Sequence, residues 1–206
     1  MNLKQPYALI GNGPEPTHPI VKDKLKKMKT FLCVDGGADK ALKMGYKPDV
    51  IIGDMDSIIK SKTKYDCHIV LMEDQSKNDL EKSLAWCLKN NIKALNLFGF
   101  SHGRDDHNLA NLFIMQFFSE RIKMKMYTDK SEIYYIKKHT NFSSAPNQIV
   151  SIFSYNKDTK ISTTGLKYKL NDSSLKFPSH GLSNLSKGSE FSIHPSDWVC
   201  VILNYM

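Results

Sequence analysis

The stretch Asp49-Val50-Ile51-Ile52-Gly53-Asp54-Met55-Asp56-Ser57 decides the fold. Three branched apolar residues run without alternation into a glycine and two acids. A short run that is apolar on both faces reads as a strand buried in a parallel sheet. The same grammar recurs on either side. Upstream, Phe31–Val34 ends on Asp35; downstream, His68–Met72 is followed by Asp74 and then Asp79. In an open parallel sheet the loops at the strand carboxyl ends line one crevice, so these acids converge. Converging acids call for a cation, which points to divalent metal and phosphate chemistry.

Working outward, strands are expected at Tyr7–Ile10, Phe31–Val34, Val50–Ile52, His68–Met72, Ala94–Phe98 and Lys123–Tyr127. Helices are expected near Ile20–Met28, Ala38–Met44, Asp79–Lys89 and Asp106–Ser119. In the third, Leu80, Leu84, Cys87 and Leu88 share one face, Asn78 can cap it, and Glu81 stands in capping-box position. In the fourth, Leu109, Leu112, Phe113 and Phe117 are expected on one apolar side. Strand–helix alternation implies a three-layer, Rossmann-like α/β domain with a mostly parallel sheet. After about Thr128 the texture changes to short strands punctuated by Ser, Asn, Gly and Pro: Glu132–Lys137, Gln148–Tyr155, Lys160–Thr163, Leu166–Leu170, Glu190–Ile193 and Trp198–Leu203. This predicts a small antiparallel β domain. The expected division is residues 1–130 and 131–206.

The chain has 206 residues, 41% hydrophobic and 24% charged, with a net charge of +8 and a pI near 9.2. These values suit a globular protein with real cores. The basic balance suits an anionic substrate or a nucleic acid. The lysine run from Lys22 to Lys29 reads as the solvated face of a helix. Cys33, Cys67, Cys87 and Cys200 form no CxxC pair, and reduced thiols fit the cytoplasm. The N-terminus lacks the apolar region of a signal peptide, and no run approaches the eighteen or so apolar residues of a membrane span.

Asp54 and Asp56, two positions apart after a strand, can aim both carboxylates at one hard cation such as Mg²⁺; the plainer alternative is a turn and a helix cap. Asp35 in Asp35-Gly36-Gly37-Ala38-Asp39 can reach the same metal. Asp79 suits a helix N-terminus, and Lys82 lies one turn on. Lys82 is read either as a surface ion pair or as a phosphate contact. Gly99-Phe100-Ser101-His102-Gly103-Arg104-Asp105-Asp106-His107 combines glycines, an arginine and a helix start, which makes a polyphosphate cradle. Gly11 and Gly13 either let a ligand approach the backbone or form a plain turn. Pro16 stands where a dinucleotide fingerprint needs its last glycine, and no GxxxxGK[ST] segment exists.

These segments, in order, resemble the thiamine pyrophosphokinase family. The family pattern runs DGGA(D/N), GD(F/L/M)DS, D…TDxxK and G…GRxDH; here it falls on Asp35–Asp39, Gly53–Ser57, Asp74–Lys82 and Gly99–His107. Thr163–Tyr168 is similar to TTGLK(Y/W), Gly181–Asn184 to G-x-SN, and His194–Trp198 to a terminal segment of some members. Asn78 replaces the usual threonine of TDxxK. The resemblance implies an α/β ATP- and Mg-binding domain followed by a thiamine-binding β-sandwich. It implies a homodimer with sites near the interface, and pyrophosphate transfer from ATP to thiamine, giving thiamine diphosphate and AMP. On that basis Asp35, Asp54, Asp56 and Asp79 would hold Mg²⁺. Lys82 and Arg104 would meet the phosphates, while Asp106 and His107 would shape the nucleotide pocket. Asp74 would support them. Ser183 and Asn184 would bind thiamine; Trp198 would either stack on it or sit in the core. No nucleic acid or membrane partner is expected. Other readings are pyrophosphate transfer to another alcohol such as a hydroxymethylpterin, a haloacid-dehalogenase-type phosphatase built on Asp54 and Asp56, and a basic nucleic-acid-binding protein.

Overall fold

The computed structural model describes residues 3–54, 65–72, 74–101 and 103–206. The chain forms two compact units, Met1–Asp129 and Lys130–Met206.

The first unit runs β1 (Tyr7–Ile10), α1 (Pro19–Lys26), β2 (Thr30–Val34), α2 (Gly37–Lys43), β3 (Val50–Gly53), β4 (His68–Leu71), α3 (Asp79–Lys89), β5 (Ala94–Phe98), α4 (Asp105–Phe118) and β6 (Lys123–Tyr127). Each expected element is present, with ends moved by at most two residues. The strands lie in the order β6-β5-β1-β2-β3-β4, and all neighbours are parallel. β1, β2 and β3 are almost wholly buried, as their unbroken apolar runs require. The chain steps from β1 out to β4 and then returns to place β5 on the other side of β1. Between β1 and β5 the winding reverses, and that is where an open α/β sheet forms its ligand crevice.

Two helices show how the sequence sets local structure. Asn78 caps α3, its Oδ1 accepting from the Glu81 amide at 2.9 Å. This satisfies one of the orphan donors of the first turn. In α4 the expected apolar side is wrong. Leu109, Phe113 and Phe117 are 58%, 49% and 68% exposed, while Asn111, Met115 and Phe118 are buried. The helix buries a mixed face and leaves a more apolar stripe outside.

The second unit contains β7 (Ser131–Ile136), β8 (Thr140–Ser143), β9 (Ile149–Ser154), β10 (Ile161–Thr164), β11 (Asn184–Leu185), β12 (Glu190–Pro195) and β13 (Val199–Asn204). β11-β9-β13-β7 form one antiparallel sheet and β10-β12-β8 another. Val150, Ile152, Val199 and Val201 of the first meet Phe142, Ile161, Phe191 and Ile193 of the second in one core. This is a β-sandwich. Leu166–Leu170 is not a strand: it has a single bridge from Leu166 to Ser186. Leu166 and Leu170 still insert into the core, which accounts for the apolar spacing. β8 escaped the sequence reading because Thr-Asn-Phe-Ser carries only one apolar residue.

Candidate functional site

Asp35 ends β2 in a left-handed conformation, φ +42°, while only 4% exposed. An aspartate tolerates that region better than most residues, but the conformation is uncommon and gathers at functional sites. Its backbone N–H stays in the sheet, donating to the Ile52 carbonyl at 3.2 Å. Its carboxylate packs against the last residue of β3: a Cβ on Gly53 would lie 1.9 Å from Asp35 Oδ1. Gly53 is therefore the residue that lets the ends of β2 and β3 bring two acids side by side. Asp54 follows at once, half-buried, and accepts from Gln75 Nε2 at 3.0 Å. Asp56 lies outside the described residues, as does His102.

α3 supplies the counter-charge. Lys82 is 4% exposed, and its Nζ sits 2.8 Å from Asp79 Oδ1. The surface ion pair that helical spacing allowed is thus excluded. Burial works to lower the Lys82 pKa. The hydrogen bond to Asp79 and the fields of Asp79, Asp54 and Asp35 outweigh it and raise the value above 10.5. A buried ammonium is tolerated only when paired in this way. Asp79 thus pairs with Lys82 directly, and Asp35 and Asp54 stand near enough for their charges to act on it.

Beside them a cleft of about 200 Å³ opens at the β1/β5 reversal, lined by Asn12, Asp35, Asn78, Asp79, His107 and Asn111 among others. Its floor is made of interlocked loops. The Gly11 amide donates to the Phe98 carbonyl and the Gly13 amide to the Gly99 carbonyl. A Cβ on Gly11 or Gly13 would stand 2.7 or 2.6 Å from Gly99 O. These glycines serve loop-on-loop packing, and both N–H groups are engaged by carbonyls of the facing loop.

The cradle after β5 differs from its expected form. Arg104 is held in a fork by Asp106, with Nε–Oδ1 at 3.1 Å and Nη2–Oδ2 at 2.6 Å; both side chains are mostly exposed. That pairing is the main reason the Asp106 pKa falls to about 2. Of the expected segment, Gly99, Phe100 and His107 line the cleft, and Arg104 and Asp106 do not. Asp74 is a turn-former: its carboxylate accepts from the Ser76 hydroxyl and amide and pairs with Lys77, lowering its pKa to about 2.

In the second unit, Ser183 is exposed at φ +57°, its amide donating to Ser151 Oγ at 3.1 Å. Asn184 is 6% exposed and its carboxamide is committed within the fold. Oδ1 accepts from the Tyr168 and Leu185 amides, and Nδ2 donates to the Tyr168 carbonyl. It clamps Tyr168, whose ring is 60% exposed. Trp198 does not join them. It precedes Val199, which pairs with Ser154, whereas Ser151 pairs with Ile202. Four residues of strand, roughly 13 Å, separate Trp198 from the level of Ser183. Trp198 Nε1 is buried with no hydrogen-bond partner among the described residues.

Asn12, Gly53, Gln75 and Asn111 were missed in the sequence. Asn111 carried the clearest signal, a carboxamide inside the apolar run Leu109–Met115.

A family model described as thiamin pyrophosphokinase, catalytic domain, matches residues 21–127. A second, described as its vitamin B1 binding domain, matches residues 134–195. The chain is 25% identical over 179 residues to the thiamine pyrophosphokinase of Bacillus subtilis (strain 168), covering 80% of this chain and 81% of the relative. It is 28% identical over 178 residues to thiamine pyrophosphokinase 1 of Oryza sativa subsp. japonica, covering 71% and 67%. The fold is shared with the crystal structure of the Bacillus subtilis enzyme, with a TM-score of 0.81 at 21% identity over 97% of this chain and 98% of that one. Thiamin pyrophosphokinase from Candida albicans also gives 0.81, at 20% identity over 97% and 88%. With catalytic and vitamin-binding models both matched in sequence order, the chain belongs to the thiamin pyrophosphokinase family.

Proposed function

We propose that the chain transfers the pyrophosphoryl group of ATP to the hydroxyethyl oxygen of thiamine, giving thiamine diphosphate and AMP. The observation that carries this reading is buried Lys82 paired with Asp79, within the fields of Asp35 and Asp54, beside the β1/β5 cleft that Asp35 and Asp79 line. The thiamine oxygen bonds to the β-phosphorus, the bond from that phosphorus to the AMP oxygen breaks, and the hydroxyl proton leaves. Such transfers depend mainly on positioning and on neutralising charge.

Lys82 supplies a fixed positive charge for the transferring group. Asp35 and Asp54, with Asp56 and Asp79, are assigned to Mg²⁺, and the oxygen-only donor set fits a hard cation. Among the described residues no three His, Cys, Asp or Glu side chains close into a ligand shell alone. Mg²⁺ needs none, since it takes one or two carboxylates and keeps waters and substrate phosphates. When bound, it supplies neutralisation of phosphate charge. His107 faces the nucleotide. Arg104 reaches phosphate by leaving Asp106, so Asp106 governs its availability.

Thiamine is assigned to the second unit. Ser183, anchored by Ser151, offers its exposed hydroxyl, and Tyr168, held by Asn184, an exposed ring. Trp198 is left out of that set because it lies at the other end of β13.

The exposed stripe of Leu109, Phe113 and Phe117 supports a homodimer, because three large apolar side chains at one-turn spacing favour a partner surface. The same helix carries His107, so the dimer interface would adjoin the cleft. A cytoplasmic location is supported by the free state of all four cysteines. Among the described residues, no helix is long and apolar enough to cross a membrane.

The test is product analysis. Purified protein with ATP, Mg²⁺ and thiamine is expected to form thiamine diphosphate and AMP in equal amounts. Formation of thiamine monophosphate and ADP, or turnover of a hydroxymethylpterin with thiamine untouched, overturns the reading.

A further inference from the structure

We infer that Asn111 is a positioning residue for this transfer, its buried carboxamide locking the first turn of α3 to the loop after β5 through Asn78. The inference rests on the assignment of Asp79 and Lys82 to the reacting site.

Three hydrogen bonds form one directed chain. Asn78 Oδ1 accepts from the Glu81 amide at 2.9 Å. Asn78 Nδ2 donates to Asn111 Oδ1 at 3.1 Å, and Asn111 Nδ2 donates to the Phe100 carbonyl at 2.9 Å. The orientation of each amide is dictated by its neighbours. The Glu81 N–H can only donate, so the Asn78 oxygen must face it and the Asn78 NH₂ must point away. The Phe100 carbonyl can only accept, so the Asn111 NH₂ must face it, leaving its oxygen for Asn78. A flip of either amide would set donor against donor or oxygen against oxygen. Asn111 is 8% exposed, where an unmade hydrogen bond is costly.

The chain joins parts that sequence keeps far apart. Asn78 precedes Asp79, and Lys82 follows one turn later. Phe100 lies in the loop that interlocks with Gly11–Gly13 across the β1/β5 reversal. Asn78, Asp79, Phe100 and Asn111 all line the same cleft. Without the link, α3 would keep its cap and its packing, but its first turn would no longer be referenced to the opposite wall. The acid and the lysine would then be set less accurately against the phosphates. A misplacement of about 1 Å can lower a rate by about 10²-fold.

The test compares Asn111→Leu, Asn78→Gly, the double variant and Asp79→Asn with the parent chain. The readouts are kcat, the Mg²⁺ concentration for half-maximal rate, and melting temperature. Asn111→Leu is near-isosteric and removes both bonds. Asn78→Gly is tolerated at a helix cap and carries no donor for Asn111, and it leaves the Asn111–Phe100 bond in place. It decides the matter if Asn111→Leu does not fold. Both single variants are expected to lower kcat about 10-fold or more and to raise the Mg²⁺ requirement. The double variant is expected to be no worse than Asn111→Leu, since the two changes break the same link. Variants that lose melting temperature yet keep the parent kcat and Mg²⁺ requirement overturn the inference and leave a structural role only. Asp79→Asn separates the two levels. If it abolishes turnover while Asn78→Gly behaves as the parent, only the positioning inference fails; if it retains turnover, the site assignment fails and takes the inference with it.

Discussion

The Lys82 ammonium lies 2.8 Å from the Asp79 carboxylate, yet the lysine is 4% exposed and the aspartate 51%. The cation is the buried partner and the anion the wet one. A surface ion pair contributes little and has no need of such an arrangement. The lysine is also within the fields of Asp54 and Asp35, so it offsets a set of acids of which Asp35 and Asp79 line the cleft.

Replacing that lysine tests the charge apart from the packing. Lys82→Met keeps most of the stem and removes the ammonium. Turnover is expected to fall about 10²–10³-fold, as when one preorganised electrostatic contact is lost. The folded-state pKa of Lys82 is raised, so its protonated form stabilises the fold fully below pH 10.5. That stability is lost as pH rises through the still higher folded value. The melting temperature of the parent should therefore decline more steeply above pH 10.5 than that of Lys82→Met. Parallel declines would show that Lys82 is not the group responsible.

Asn184→Ala should act on the second substrate alone. It leaves the Tyr168 N–H and C=O without their side-chain partner, costing about 1–3 kcal/mol of stability. Freed from that clamp, Tyr168 should bind thiamine less well, and KM for thiamine should rise while KM for ATP is unchanged. Equal changes in both constants would argue for general loosening instead.

Phe113→Glu and Phe117→Glu place charges on the exposed stripe of α4. Because the two side chains are already 49% and 68% exposed in the single chain, neither change should unfold it. Sedimentation is expected to show the parent as a dimer and the variants as monomers. A parent chain that sediments as a monomer would remove the dimer from the account.

Much of this was legible in the sequence, and the exceptions have physical causes. Unbroken apolar runs such as Val50–Ile52 are hard to mistake when helical patterns separate them, so the α/β half was read element by element. Asp35 and Asp54 stood out because each directly follows such a run. Helix α4 misled because its most hydrophobic stripe is not the one its own unit buries; amphipathicity marks an apolar face but not what covers it. Lys82 was ambiguous because spacing on a helix does not report depth. Arg104 was taken as free for phosphate because its fork with Asp106, two residues away, depends on side-chain conformation. Trp198 was grouped with Ser183 and Asn184 through motif order, whereas strand register sets it at the other end of β13. The role of Gly53 became visible only when Asp35 was seen packed against its Cα.

The most direct measurement is the thiamine-dependent rate of AMP formation by Asp54→Asn. Asp54 is half-buried and accepts from Gln75, and an asparagine preserves both its shape and an acceptor oxygen. The account predicts a loss of at least about 10²-fold with the melting temperature of the parent retained. A near-normal rate in folded Asp54→Asn would contradict the claim that the acids around Lys82 form the centre of the transfer.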